Sequence, residues 1–261
     1  MSDDGPAMGE AMSAEFDVVP GWTVEAVREL GVEHALPAAC RGSGGPGVLR
    51  WLTGQLGLRP EVSLLDSGAG MGGPSAFAAG HTGAQVVLAE PMTGACRAAV
   101  DMFDLPTVAA LGEQLPFRSN TVDAAWSVGV LCTSNDQPGL LAELARVVRP
   151  GGATGLLVYT RRVPHLDEHP DGNHFPTPDE LDELIGAAGL RTRVRTDLAD
   201  LPAADTPWAH RAERVDAVIE RDHGHDPRWV TADAQHQIMA RLLDSGQVGG
   251  TLLVADIPRL G

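Results

Sequence analysis

Between Val62 and Gly73 the chain reads Val-Ser-Leu-Leu-Asp-Ser-Gly-Ala-Gly-Met-Gly-Gly, a short apolar run, an acid, and a cluster of glycines. The run suits a strand buried on both faces. The glycines suit a turn in which backbone can approach a ligand closely, because no Cβ obstructs it. A helix starting after that turn would offer unpaired N–H groups and a positive dipole end to an anionic group. Two templates fit. Gly68-x-Gly70-x-x-Gly73 satisfies the dinucleotide fingerprint, with Glu90 near the position of a ribose-binding acid. Asp66, however, stands where a nicotinamide-binding strand is ordinarily apolar, and no second βαβαβ half with its own nucleotide crevice follows.

From residue 62 onward, apolar runs at 62–65, 85–89, 122–127 and 153–159 alternate with helical stretches near 74–79, 93–102 and 139–148. Alternation at this spacing predicts βαβ units, hence an α/β doubly wound, mostly parallel sheet with helices on both faces. Ligands of such sheets bind at the carboxyl ends of the strands, where Asp66 and Glu90 both fall. Thr177-Pro178-Asp179-Glu180 opens a further helix, with a capping residue, a first-turn proline and acids against the dipole. A strand at 191–196 and a last strand at 251–257 are expected around two more helices, near 209–222 and 231–244. The organisation predicted is a tail over 1–15, cap helices within 16–58, an α/β core over 59–202, a helical cap insertion over 203–247, and the last core strand within 248–261.

Composition narrows the chemistry. Net charge is −16, and all 19 basic residues are arginine. The acidity opposes a nucleic-acid partner, whose phosphates it would repel. Without lysine there is no Schiff-base enzyme and no Walker-type phosphate loop. Cys40, Cys96 and Cys132 are too few and too widely spaced for a disulfide framework or a zinc knuckle. No apolar run approaches the roughly 18 residues of a membrane span, and residues 1–15 lack the basic start and apolar stretch of a secretory signal. A cytoplasmic protein without a membrane partner is expected.

Several ordered motifs resemble the class I S-adenosylmethionine-dependent methyltransferases, particularly their small-molecule branch. Leu64-Leu65-Asp66-x-Gly68-x-Gly70-x-Gly72 is similar to the family's first motif, and Gly72-Gly73-Pro74-Ser75 to its extended form in sterol-, tocopherol- and sarcosine-type enzymes. Leu88-Ala89-Glu90-Pro91-Met92 resembles the second-strand motif, and Leu115-Pro116-Phe117 before Val122-Asp123 the third and fourth strand region. Arg149-Pro150-Gly151-Gly152 is similar to the turn before the fifth strand, and Phe175-x-Thr177-Pro178-x-x-Leu181 to the next helix start. The likeness spans about residues 60–200 and implies a seven-stranded, Rossmann-like sheet with S-adenosyl-L-methionine as cofactor.

Carried over residue by residue, it implies that Glu90 accepts both ribose hydroxyls in charge-assisted bonds. Met92, beside Pro91, would lie on adenine as a soft apolar surface. Gly68, Gly70 and Gly72 would meet the amino-acid end, with Asp66 favouring its ammonium. Gly112, Glu113 and Leu115 would line the adenine edge, and Ser127 would border the methionine portion. Two departures stand out. Leu111 occupies the place of an acid that accepts from the adenine amino group in relatives, leaving Glu113 or backbone to do so. The family's leucine and paired histidines after the fourth strand are Leu131-Cys132-Thr133 here.

The implied reaction is methyl transfer to an oxygen, nitrogen or carbon nucleophile of a small molecule, in which the protein aligns the nucleophile and excludes water. His174 and Tyr159 are the candidate catalytic residues. His165, His169 and His174 stand among Asp167, Glu168 and Asp171, a pattern open to a general base, a metal site or a solvated loop; no metal ligand set is assigned. Trp22, Trp208 and Trp229 either line an acceptor pocket or pin the cap to the core. Two other activities fit parts of the pattern: a different reaction, such as cyclisation, on a retained cofactor, and nicotinamide-dependent hydride transfer. Oligomeric state is left open by these motifs.

Overall fold

The structure, a computed structural model, describes residues 14–259. Seven strands form one sheet: β1 (Ser63–Ser67), β2 (Gln85–Glu90), β3 (Thr107–Ala109), β4 (Val122–Val128), β5 (Val148–Arg161), β6 (Arg191–Asp197) and β7 (Val248–Asp256), in the order β3-β2-β1-β4-β5-β7-β6. β7 alone is reversed, pairing antiparallel with both β5 and β6. Strand order turns back at β1, which pairs with β2 on one side and β4 on the other. That reversal opens a crevice at the carboxyl ends of β1 and β4.

Alternation along the strands builds two cores. Leu64, Trp126, Leu157 and Val254 point to one face and meet α3 (Pro46–Gln55) through Leu49 and Leu52, and α4 (Gly73–Thr82) through Ala78. Their neighbours Leu65, Ala125, Leu156 and Leu253 point to the other. There they meet Leu140, Leu141 and Leu144 of α6 (Gln137–Val147) and Leu181 and Ile185 of α7 (Pro178–Ala187). The α7 start carries a full capping box: Thr177 Oγ1 accepts from the Glu180 amide, and Glu180 accepts from the Thr177 amide. α5 (Thr93–Phe103) covers the β2 edge, Ala99 packing on Leu88.

The cap joins the N-terminal helices α1 (Val19–Leu30) and α2 (Ala35–Ala39) to α8 (Thr206–His223) and α9 (Pro227–Asp244). Val27, Ala38, Val215 and Ile219 form its apolar centre. The Trp22 ring stacks on His223 at 4.2 Å, with the Arg228 guanidinium 5.3 Å from its centroid. Trp208 meets Phe77 of α4 edge-on, and Trp229 packs on the cap cluster. The tryptophans therefore fasten the cap. Before α1, Ala14–Val18 form a π-helical turn held against α5: Asp17 Oδ1 accepts from the Gly94 amide (2.5 Å) and Thr93 Oγ1 (3.3 Å). Residues 14 and 15, expected in the tail, belong to this turn; residues 1–13 lie outside those described.

Three features go beyond the sequence reading. α2 and β3 are short, and α2 contains Pro37, so neither offers a periodic signal. β5 begins ahead of the expected residue 153, carrying Pro150-Gly151-Gly152 as an irregularity in its pairing with β4. Gly151 and Gly152 exchange backbone hydrogen bonds with Ile257, which keeps that stretch in the sheet.

A paired substitution tests how α4 is seated. A Cβ on Gly73 would lie 2.4 Å from the Ala39 carbonyl oxygen, whereas one on Gly80 of the same helix would meet nothing within 4 Å. Gly73→Ala is expected to cost about 2–4 kcal/mol in urea unfolding. Gly80→Ala should be neutral or stabilising by up to about 1 kcal/mol. Equal effects at the two positions would contradict the close approach of α2 to α4.

Candidate cofactor site

The site is built on the turn between β1 and α4. Gly68 and Gly70 adopt φ of 75° and 53°, in the left-handed region that glycine alone enters without strain. A Cβ at Gly68 would also lie 2.5 Å from Val130 Cγ2, so the residue after β4 packs directly on the turn. At Gly70 nothing lies within 4 Å of that position, and the backbone borders open space. The turn bends toward β2 because the Gly68 and Ala69 amides both donate to the Ala89 carbonyl, at 2.8 and 3.2 Å.

Glu90, at the end of β2, is only 5% exposed. Its Oε2 accepts from the Gly70 amide at 2.8 Å and its Oε1 from the Met92 amide at 2.9 Å. Each oxygen keeps a further lone pair, so the carboxylate can still accept two hydrogen bonds. Burial pushes its pKa up to about 7, against the pull of those two amides. Pro91 and Met92 follow, half-buried, before α5.

Asp66 is buried beneath the turn and accepts from Ser75 Oγ of α4 at 2.8 Å. Burial raises its pKa to about 6. The Trp126 indole lies near its carboxylate but short of hydrogen-bond geometry. Two hydroxyls, Ser67 Oγ at the end of β1 and Ser127 Oγ near the end of β4, are buried with no partner among the described residues. Buried hydroxyls are costly to leave unpaired, so a polar ligand in this crevice would satisfy them.

The loop from 110 to 117 closes the far side. A Cβ on Gly112 would lie 3.0 Å from Ser67 Oγ, placing this glycine against the crevice. Leu115 is buried, and its amide donates to Glu143 Oε2 at 2.8 Å. Arg146, paired with Glu143, holds the Leu115 and Phe117 carbonyls at 3.0 and 2.7 Å. Nothing in the sequence separates Glu143-x-x-Arg146 from an ordinary surface pair on a helix. Leu111 is exposed at the rim and Glu113 is partly buried.

The two candidate catalytic residues are placed apart. Tyr159 is buried on β5, and its hydroxyl donates to the Gly42 carbonyl at 3.0 Å. Burial pushes its pKa well up, so it stands as a neutral phenol anchoring the glycine-rich loop. His174 is exposed. Its amide donates to the Cys132 carbonyl at 2.7 Å, and its ring faces a cleft of about 790 Å³ shared with His165, His169, Arg161 and Phe175. Glu168 of the same loop pairs bidentately with Arg241 of α9 rather than with the histidines. Among the described residues no three His, Cys, Asp or Glu side chains are grouped to hold a metal.

Raised carboxyl pKa values make the folded chain hold more protons than the unfolded one between about pH 4 and 7. Asp66 and Glu90 thus contribute stability that is full in acid and lost as pH rises through about 6 and 7. Exposed carboxylates held low by arginines, such as Asp226, lose their contribution only in stronger acid. The melting temperature of the ligand-free protein should therefore fall between pH 5 and 7.5, at about 2–4 °C per kcal/mol. Glu90→Gln should flatten that fall; parallel curves would remove Glu90 as its source.

Among known proteins, a family model described as a methyltransferase domain matches residues 65–155. The chain is 26% identical over 178 residues to a sterol 24-C-methyltransferase of Aspergillus fumigatus, covering 60% of this chain and 47% of that one. It is 33% identical over 116 residues to the methyltransferase GfsG of Streptomyces halstedii, covering 39% and 40%. It thus spans about half the length of the curated relatives it matches. Among solved structures, the cyclopropane synthase MmaA2 of Mycobacterium tuberculosis superposes with a TM-score of 0.71 over 97% of this chain and 99% of that one, at 17% identity. The order of motifs along the sheet, the acid-bearing crevice at its reversal point and these likenesses agree, and the chain belongs to the class I S-adenosylmethionine-dependent methyltransferase family.

Proposed function

We propose that the protein transfers a methyl group from S-adenosyl-L-methionine to an oxygen, nitrogen or carbon nucleophile of a small molecule. The observation that carries this reading is Glu90, a buried carboxylate whose oxygens are oriented by the Gly70 and Met92 amides and still have capacity for a diol. Glu90 would take the ribose hydroxyls. Pro91 and Met92 would lie on one face of adenine, with Gly112, Glu113 and Leu115 along its edge. The backbone from Gly68 to Gly72 would receive the amino-acid end, with Asp66 beneath the ammonium and the Ser67 and Ser127 hydroxyls finding partners. When bound, the cofactor supplies an electrophilic methyl on a cationic sulfur.

The chain's own work is then alignment and exclusion of water. The cap covers the carboxyl ends of the strands, and loop 41–45, anchored by Tyr159, crosses the end of β4. Of the two catalytic candidates, His174 has a ring free to meet an acceptor in the neighbouring cleft, while Tyr159 acts by holding the loop. The net charge of −16 supports a small-molecule acceptor over a nucleic acid. We also place the protein in the cytoplasm. No described helix is long and apolar enough to cross a membrane.

Calorimetric titration with S-adenosylmethionine, S-adenosylhomocysteine and NAD(H) tests the reading. Both sulfur compounds should bind, and Glu90→Ala should weaken them by at least about thirtyfold through loss of charge-assisted hydrogen bonds. An acceptor screen by mass should then yield a product heavier by one CH2, with S-adenosylhomocysteine formed in equal amount. A product of unchanged mass would replace methylation by a cyclisation on the same cofactor. Binding of NAD(H) alone would overturn both.

A further inference from the structure

The segment roofing the crevice places one more acid over it. Asp17 fixes the turn Ala14–Val18 to the start of α5, next to Glu90 and Met92. Gly94 is required there, since a Cβ would lie 1.9 Å from the Asp17 carbonyl oxygen. Two residues earlier, Glu15 faces two groups from other parts of the chain: Arg41, at the start of the glycine-rich loop, and Cys132, in the turn after β4. The loop itself crosses the end of β4, because a Cβ on Gly129 would lie 2.7 Å from the Gly42 carbonyl oxygen. Cys40, just before it, is near enough to Asp66 to feel its charge beyond the effect of burial.

Glu15 is thereby enclosed on the roof side of the β1/β4 crevice, opposite the Gly68–Gly70 turn. Its carboxylate accepts no hydrogen bond among the described residues. Arg41 does not neutralise it alone, because the guanidinium already pairs with Asp216 of α8 and donates to Thr23 Oγ1 at 3.5 Å. One cation between two carboxylates leaves one negative charge in excess. Across the crevice, the ends of β1 and β4 would hold the methionine portion of the donor, whose sulfur is cationic before transfer and neutral afterwards.

From this arrangement we propose that Glu15 is a specificity residue that faces the donor's sulfur and makes the site prefer the cationic methyl donor over its neutral product. This inference rests on the methyltransferase reading and adds to it the means by which spent cofactor is distinguished from fresh. The carboxylate attracts the sulfonium through a partly dehydrated space, where the interaction is screened less than in water. The thioether of the product offers no charge, and the attraction disappears once transfer is complete.

Burial pushes Glu15 up to about 7, with Arg41 opposing, so its charge develops across neutral pH. The preference should follow that charge. It is weak at pH 6, where Glu15 is largely protonated, and strong at pH 8. Glu90 and Asp66 titrate nearby, but they meet parts that donor and product share, and their effect cancels in the ratio of the two affinities. Asp17 lies on the same turn, with Cys96 of α5 beside it. His236, Asp233 and Glu213 act on Asp216. Any contribution from these groups remains when Glu15 is replaced.

The test is calorimetry of the full chain with S-adenosylmethionine and S-adenosylhomocysteine at pH 6 and pH 8, for wild type, Glu15→Gln and Glu15→Asp. The wild-type affinity ratio should shift toward the donor between the two pH values by roughly five- to tenfold. Glu15→Gln should abolish the shift, and Glu15→Asp should retain part of it. A structural role acting only through Arg41 would weaken both ligands equally and leave the ratio and its pH dependence intact. That result, or a flat wild-type ratio, overturns the proposal. Failure of wild type to bind either compound would instead overturn the methyltransferase reading, so the two failures are distinct.

Discussion

The hydrogen bond from the Gly70 amide to the Glu90 carboxylate joins everything that defines the crevice. It ties the end of β2 to the turn leaving β1, and so fixes the distance between an acid and a glycine backbone that belong to different βα units. The bond exists because Gly68 and Gly70 enter a left-handed conformation that swings the turn toward β2. It also requires Glu90 to be buried, since a solvated carboxylate would gain little from one backbone donor. The sheet order does the rest: with β1 central and β4 on its other side, the same turn borders Val130, Ser127 and the open reversal point.

The cap closes over this point with two kinds of force. Pairs such as Arg221–Glu29 and Arg241–Glu168 stand in solvent and contribute little individually. The apolar contact of α8 with α1 and α2, through Val215, Ile219, Val27 and Ala38, supplies the holding energy. Trp22 between His223 and Arg228 then sets how the helices are oriented, since a ring stacked on one side and faced by a cation on another tolerates little rotation. A cap held by a small apolar centre and a ring of surface pairs is the lowest-stability unit of the fold, which suits an element that must admit ligand.

What the sequence disclosed and withheld follows from the range of each interaction. The β1 run, the glycine turn, Glu90 at the end of β2 and the Thr177 capping box are local patterns, with every partner of the signal within a few residues. The partners of Tyr159, Asp17 and Arg41 are not local: the Tyr159 hydroxyl reaches Gly42 across 117 residues, Asp17 reaches Gly94 across 77, and Arg41 reaches Asp216 across 175. No period or spacing announces such contacts. Glu15 was hidden for a further reason: its surroundings of small and acidic residues read as a solvated tail, although the structure turns it inward. The reversed direction of β7 carried a family likeness but no residue-level signal of its own.

The crevice is also an unfavourable place for the ligand-free chain, and that explains its composition. Asp66 and Glu90 are buried beside one another's field, each raised by desolvation, and two serine hydroxyls lack partners. A sequence selected only for stability would replace these groups with apolar residues of similar size. Their retention makes sense if the missing half of the interactions comes from a ligand with a cationic centre, several hydroxyl donors and a flat apolar ring. Binding would then convert stored desolvation into paired hydrogen bonds and release the protons that burial holds on the carboxyls. The same conversion limits what the site accepts, because a ligand lacking the diol or the positive charge leaves buried acceptors unpaired and bears their full cost. Specificity for the cofactor thus arises from the very groups that weaken the empty fold.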